Sequence, residues 1–138
     1  MPLEQLPHKP NIVLIITDQE REVMHWPEGW AEANLPARSR LMAHGLRFSN
    51  AYCNSGTCSP SRATLLTGLY PARLHTTVWF EASQDPPRDR RLVPPTTEGN
   101  LSHHHVTLAE ALQASGYATA HVGKWHLGDA AHYPCCVQ

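Results

Sequence analysis

Asn11-Ile-Val-Leu-Ile-Ile16-Thr-Asp18 decides the reading of the fold. Five consecutive apolar residues, mostly β-branched, fit a strand covered on both faces, as in a parallel sheet packed between helices. Polarity rises abruptly at Thr17-Asp18-Gln19-Glu20-Arg21. Asp18 is thereby placed at the carboxyl end of a buried strand, where open α/β sheets collect their ligands. Moving outward, Asn34 is a candidate cap for a helix over Leu35 to His44, with Gly45 just past its end. Leu46 to Tyr52 alternates apolar and polar, which predicts a short strand. Cys53 to Arg62 is a small-residue turn, and Ala63 to Thr67 predicts a helix closed by Gly68. From Leu69 to His105, repeated prolines (Pro86, Pro87, Pro94, Pro95) predict mostly loop. Thr107-Leu-Ala-Glu110 is a capping box opening a helix that Gly116 ends. Tyr117 to Val122 is a further candidate strand, leading into Gly123-Lys-Trp-His-Leu-Gly128. Strands alternating with helices predict an α/β layered fold.

Composition narrows the function classes. With 138 residues the chain is long enough for one modest domain, and a net charge of -1 suggests neither nucleic acid nor an anionic membrane as partner. The basic residues Arg88, Arg90 and Arg91 are offset by Asp85 and Asp89 and read as a solvated loop. A spanning helix needs about 20 apolar residues, and the only continuous apolar run is Ile12 to Ile16. The first residues carry no basic n-region, apolar h-region or small-residue cleavage site, so a cytoplasmic location is the default expectation. Cys53 reads as a small buried hydrophobe. Cys135 and Cys136 near His132 lack a second metal-binding half, which argues against zinc. The run His103-His104-His105 reads as a solvated loop before a helix start.

Three segments together resemble the sulfatase family. Cys58-Ser-Pro-Ser-Arg62-Ala-Thr-Leu-Leu-Thr-Gly68 is similar to the family's C-x-P-S-R-x-x-L-x-x-G signature. Gly116-Tyr-Ala-Thr-Ala-His-Val-Gly-Lys124-Trp-His126-Leu-Gly128 resembles its second signature, and Pro10 to Asp18 its opening strand and first metal ligand. Three long patterns of mixed chemistry, in the right order, are far more specific than any one. The resemblance implies the N-terminal part of an alkaline-phosphatase-like α/β/α sandwich with a mostly parallel sheet. Residues 1–138 then form part of a catalytic domain.

The resemblance also implies a chemistry. A formylglycine-generating enzyme reads C-x-P-x-R and converts Cys58 to an aldehyde, formylglycine. The hydrated aldehyde attacks the sulfur of a sulfate ester, either a small molecule or a carbohydrate, and its second hydroxyl then drives sulfate release. Such a route divides a hard hydrolysis into two easier steps. By resemblance Arg62 steadies the diol, Lys124 holds the sulfate group and His126 acts on the diol proton. Lys124 and His126 are two residues apart, so an extended segment would point both to one side. The implied metal is divalent, calcium or sometimes magnesium, held by Asp18, Gln19 and the residue derived from Cys58. Gln19 stands where family members usually have a second carboxylate, which removes one negative charge from the site. Calcium takes about 6–8 oxygen ligands, and the residues here provide about half, so the chain alone is expected to be inactive and poorly stable. Two alternatives stand beside sulfate-ester hydrolysis: a phosphate or phosphonate ester hydrolase on the same fold, and a truncated non-catalytic product.

Overall fold

A computed structural model describes residues 9–20, 26–79, 91–92, 95–129 and 132–133. The chain divides into two compact units, Met1–Phe48 and Ser49–Gln138. Among the described residues there are four helices and no paired strand: α1 (Trp30–Asn34), α2 (Pro36–His44), α3 (Cys58–Thr67) and α4 (Leu108–Ala114).

In the first unit, residues 10–17 run without a partner strand, and the apolar residues meant for a sheet interior are exposed, Val13 at 80% and Ile15 at 77%. A strand buries both faces only between neighbours, and none of the described residues pairs with this one. The expected strand at Leu46 to Tyr52 is likewise exposed and unpaired. Asn34 does not cap α2. It ends α1, and its side-chain amide donates back to the Trp30 carbonyl at 2.8 Å. Pro36 explains the break, because a residue before proline is pushed out of helical geometry. Leu35 accordingly takes φ -121°, ψ 60°, and Pro36 opens α2 at its first turn, where a missing N–H costs nothing. Gly45 is extended (φ -121°), not left-handed, and a Cβ there would stand 2.9 Å from the Leu41 carbonyl oxygen. Glycine is used at this helix end for a close approach.

The second unit holds the core. Ala63, Leu74, Leu101 and Leu127 are buried together, with Leu66, Leu69 and Trp125 packed against them. Helix α3 turns Ser59, Pro60, Ala63 and Thr64 inward, residues one turn apart on a single face. It begins five residues earlier than the sequence suggests. Gly68 closes it in the left-handed conformation (φ 70°), donating its N–H to the Thr64 carbonyl at 2.8 Å. The capping box of α4 forms as expected: Thr107 Oγ1 accepts from the Glu110 N–H, and Glu110 accepts from the Thr107 N–H at 2.7 Å. Residues 117–122 make no strand pairing, and Val122 is 95% exposed. Cys53 is exposed instead of buried. Described parts of the 69–105 region are turns and irregular chain, as expected. Residues 85–90 and Cys135 and Cys136, on which two readings of charge and metal binding rest, lie outside the described residues.

Candidate active site

Cys58 is the first residue of α3, half-buried, with Thr57 as the N-cap. Thr57 is a residue type that caps well, yet it makes no side-chain cap here. Its hydroxyl pairs with Ser55 Oγ at 2.9 Å, while the Ser55 hydroxyl also accepts from the Thr57 N–H at 3.2 Å. Ser61 N–H, bonded to the Thr57 carbonyl at 3.1 Å, makes the first intrahelical bond, and Pro60 contributes no donor. The end of α3 therefore presents backbone N–H groups and the positive end of the dipole beside Cys58, an arrangement that favours anions. Ser59 sits fully buried beneath it.

Arg62 lies one turn along the same helix. Its Nη1 donates to the backbone carbonyl of Lys124 at 2.7 Å, which ties α3 to the segment 62 residues further on. Trp125 turns onto the core, and His121 meets its ring edge-on at 5.4 Å between centroids. Lys124 itself is exposed and His126 half-buried. The segment is not the regular extended chain expected from the sequence. Gly123 has φ 100° and His126 has φ 60°, so simple alternation of sides fails there. A non-glycine residue held in the left-handed region costs about 1–2 kcal/mol, and such strain persists only where the surroundings enforce it.

What encloses this turn was not visible in the sequence. Leu101 donates its N–H to the Leu127 carbonyl at 2.8 Å, and Asn100 Oδ1 accepts the Asp129 N–H at 2.9 Å. His132 Nδ1 lies 2.7 Å from Asp129 Oδ1, and the His132 ring stacks on His103 at 5.0 Å. His103 and His104 are exposed and His105 is half-buried, and the partner on which His103 stacks lies 29 positions along, where no local pattern announces it.

A sequence profile described as Sulfatase matches residues 10–132. The chain belongs to the sulfatase family. Among sulfatases it is 35% identical over 133 residues to an arylsulfatase of Hemicentrotus pulcherrimus, covering 91% of this chain and 22% of that one. It is 38% identical over 129 residues to arylsulfatase G of Canis lupus familiaris, covering 91% and 21%. Against an N-acetylgalactosamine-6-O-sulfatase of Bacteroides thetaiotaomicron it is 38% identical over 120 residues, covering 87% and 21%. The chain spans about a fifth of the length of these sulfatases. Membership implies an alkaline-phosphatase-like α/β fold, and the described residues show helices but no paired strand of it.

Sulfatases generally use a metal ion, and two candidate donors for one lie in the first unit. Asp18 and Gln19 are exposed at a bend in the first unit, Gln19 with φ 57°. A carboxylate and an amide carbonyl are hard oxygen donors, the right kind for calcium. Their number is not: among the described residues no group of three or more His, Cys, Asp or Glu side chains gathers to hold a metal. The described residues do not make a cage.

Proposed function

We propose that this chain carries the nucleophile and sulfate-holding part of a sulfuric ester hydrolase site. The reading rests on one observation above others: Cys58 heads α3 while Arg62, on the same helix, is bonded to the backbone of Lys124. Once oxidised to formylglycine by its generating enzyme and hydrated, Cys58 would supply two hydroxyls on one carbon, one for attack on sulfur and one for sulfate release.

The other groups act around that carbon. The N-terminal amides of α3 favour the negative charge of the sulfate group. Arg62 presents fixed donors in a planar fork, a geometry suited to orienting the diol. Lys124 brings a compact positive charge on an exposed stem to the sulfate oxygens. His126 takes the proton of the second hydroxyl at a ring nitrogen, a task suited to an imidazole near neutral pH. Asp18 and Gln19 are proposed as oxygen donors to a divalent cation, calcium or magnesium. The names of the relatives support sulfate esters, aryl or carbohydrate, over phosphate esters as the substrate class. Among the described residues no helix is long and apolar enough to cross a membrane.

The maturation claim is tested by expressing the chain with a formylglycine-generating enzyme and weighing the peptide that contains Cys58. The aldehyde mass is expected. Retention of the thiol while a control sulfatase is converted under the same conditions would overturn the reading.

A further inference from the structure

The geometry points to Asn100 as a positioning residue that holds His126 in its left-handed conformation. His126 (φ 60°) stands between two anchored flanks. Upstream, the Lys124 carbonyl accepts from Arg62. Downstream, the chain is held twice by one short segment: Leu127 O by the Leu101 N–H at 2.8 Å, and the Asp129 N–H by Asn100 Oδ1 at 2.9 Å. The backbone bond alone would act as a hinge. The side-chain bond two residues further on fixes the direction in which the chain leaves the buried Leu127, and with it the turn at His126.

A second observation shows that Asn100 and this turn are one fitted piece. A Cβ on Gly128 would stand 2.7 Å from Asn100 Oδ1 and 3.2 Å from its Cγ, so the backbone approaches the amide as closely as glycine allows. Leu101 and Leu127 on either side are both in the core, which denies the two segments freedom to slide. Nothing in the sulfatase signatures names Asn100, which lies 26 positions before His126. The importance of the turn rests on the proposed role of His126, whereas the test reads backbone conformation and needs no turnover.

The test uses the isotope-labelled 138-residue chain in solution. Backbone carbon shifts of His126 report the sign of φ, and amide exchange reports the Asp129 bond. Asn100→Ala is expected to move the His126 shifts toward negative-φ values and to speed Asp129 exchange roughly five- to tenfold, the effect of losing one ordinary hydrogen bond. Asn100→Asp, which keeps an oxygen acceptor at the same place, is expected to restore both, and α3 amides should not respond in either variant. Unchanged His126 shifts in the alanine variant, or an aspartate variant that behaves like alanine, would overturn the assignment. If the alanine variant loses its fold, the unmodified chain decides. A protected Asp129 amide, with rescue by aspartate, supports the role, and an Asp129 amide exchanging as in open chain while Leu101 is protected refutes it.

Discussion

Gly128 and Gly68 show how one residue type serves two physical ends. Gly68 closes α3 at φ 70° with nothing within 4 Å of where a Cβ would sit, so only its backbone conformation asks for glycine. Gly128 combines φ 149° with a Cβ position 2.6 Å from the His132 Cβ and 2.7 Å from Asn100 Oδ1. A methyl group there is strained by the backbone and also driven into two neighbours. Gly68→Ala is expected to cost about 1 kcal/mol, the usual penalty for a left-handed helix end. Gly128→Ala is expected to cost about 2–4 kcal/mol, since overpacking adds to the conformational strain. Urea unfolding of the two variants ranks them. Equal losses would mean that the tight approach of the 127–129 turn to Asn100 does not exist in solution.

At the scale of elements, α4 carries a titratable start. The Thr107 N–H, and then its hydroxyl, hold the Glu110 carboxyl below the usual glutamate range, with a smaller contribution from the positive charge of His103. A lowered folded pKa means that the ionised form is the one the fold favours. The stabilisation is therefore complete above the unfolded glutamate pKa, and is lost as pH falls from there through the folded value. Thr107→Ala removes the acceptor for the Glu110 N–H and is expected to cost about 1 kcal/mol at neutral pH. Glu110→Gln should flatten the loss of helical circular dichroism that the unmodified chain shows below about pH 4.5. An unmodified chain with no acid-dependent change in that window would show that the box does not close. This element was legible from four residues, because capping is local chemistry. Of α3 only the end was legible, at Gly68; its start at Cys58 lies in a small-residue stretch that reads as a turn. The break at Leu35 was missed because Asn34 looks like a cap, when Pro36 decides the geometry of the residue before it. The left-handed turn at His126 was illegible for a different reason: its enforcing partners, Arg62 and Asn100, are distant in sequence.

The scale of the whole molecule explains where reading of pattern stops. An apolar run such as Ile12 to Ile16 states what surroundings a segment needs, and the family supplies an α/β fold in which it would find them. Among the described residues those surroundings are not met, and the run is exposed. The same reasoning applies to the metal. Ligand residues gain affinity only when several converge on one ion, and calcium takes about 6–8 oxygens. Asp18 and Gln19 offer one carboxylate and one amide, with no gathered group of three acidic, histidine or cysteine side chains among the described residues. Binding to the folded chain adds stability as RT ln(1 + [L]/Kd). A site this sparse should have a Kd above about 1 mM, so 1 mM calcium should add no more than about 0.4 kcal/mol. Thermal unfolding with and without calcium measures this directly, with Asp18→Asn as the control expected to remove what little shift there is. A gain near 2.7 kcal/mol, which corresponds to roughly a hundredfold excess over Kd, would mean that the 138-residue chain assembles a full cage from its own residues. Arylsulfatase turnover should follow the same division. A chain that binds calcium this weakly is expected to hydrolyse nitrophenyl sulfate no faster than its Cys58→Ala variant, even after Cys58 has been converted.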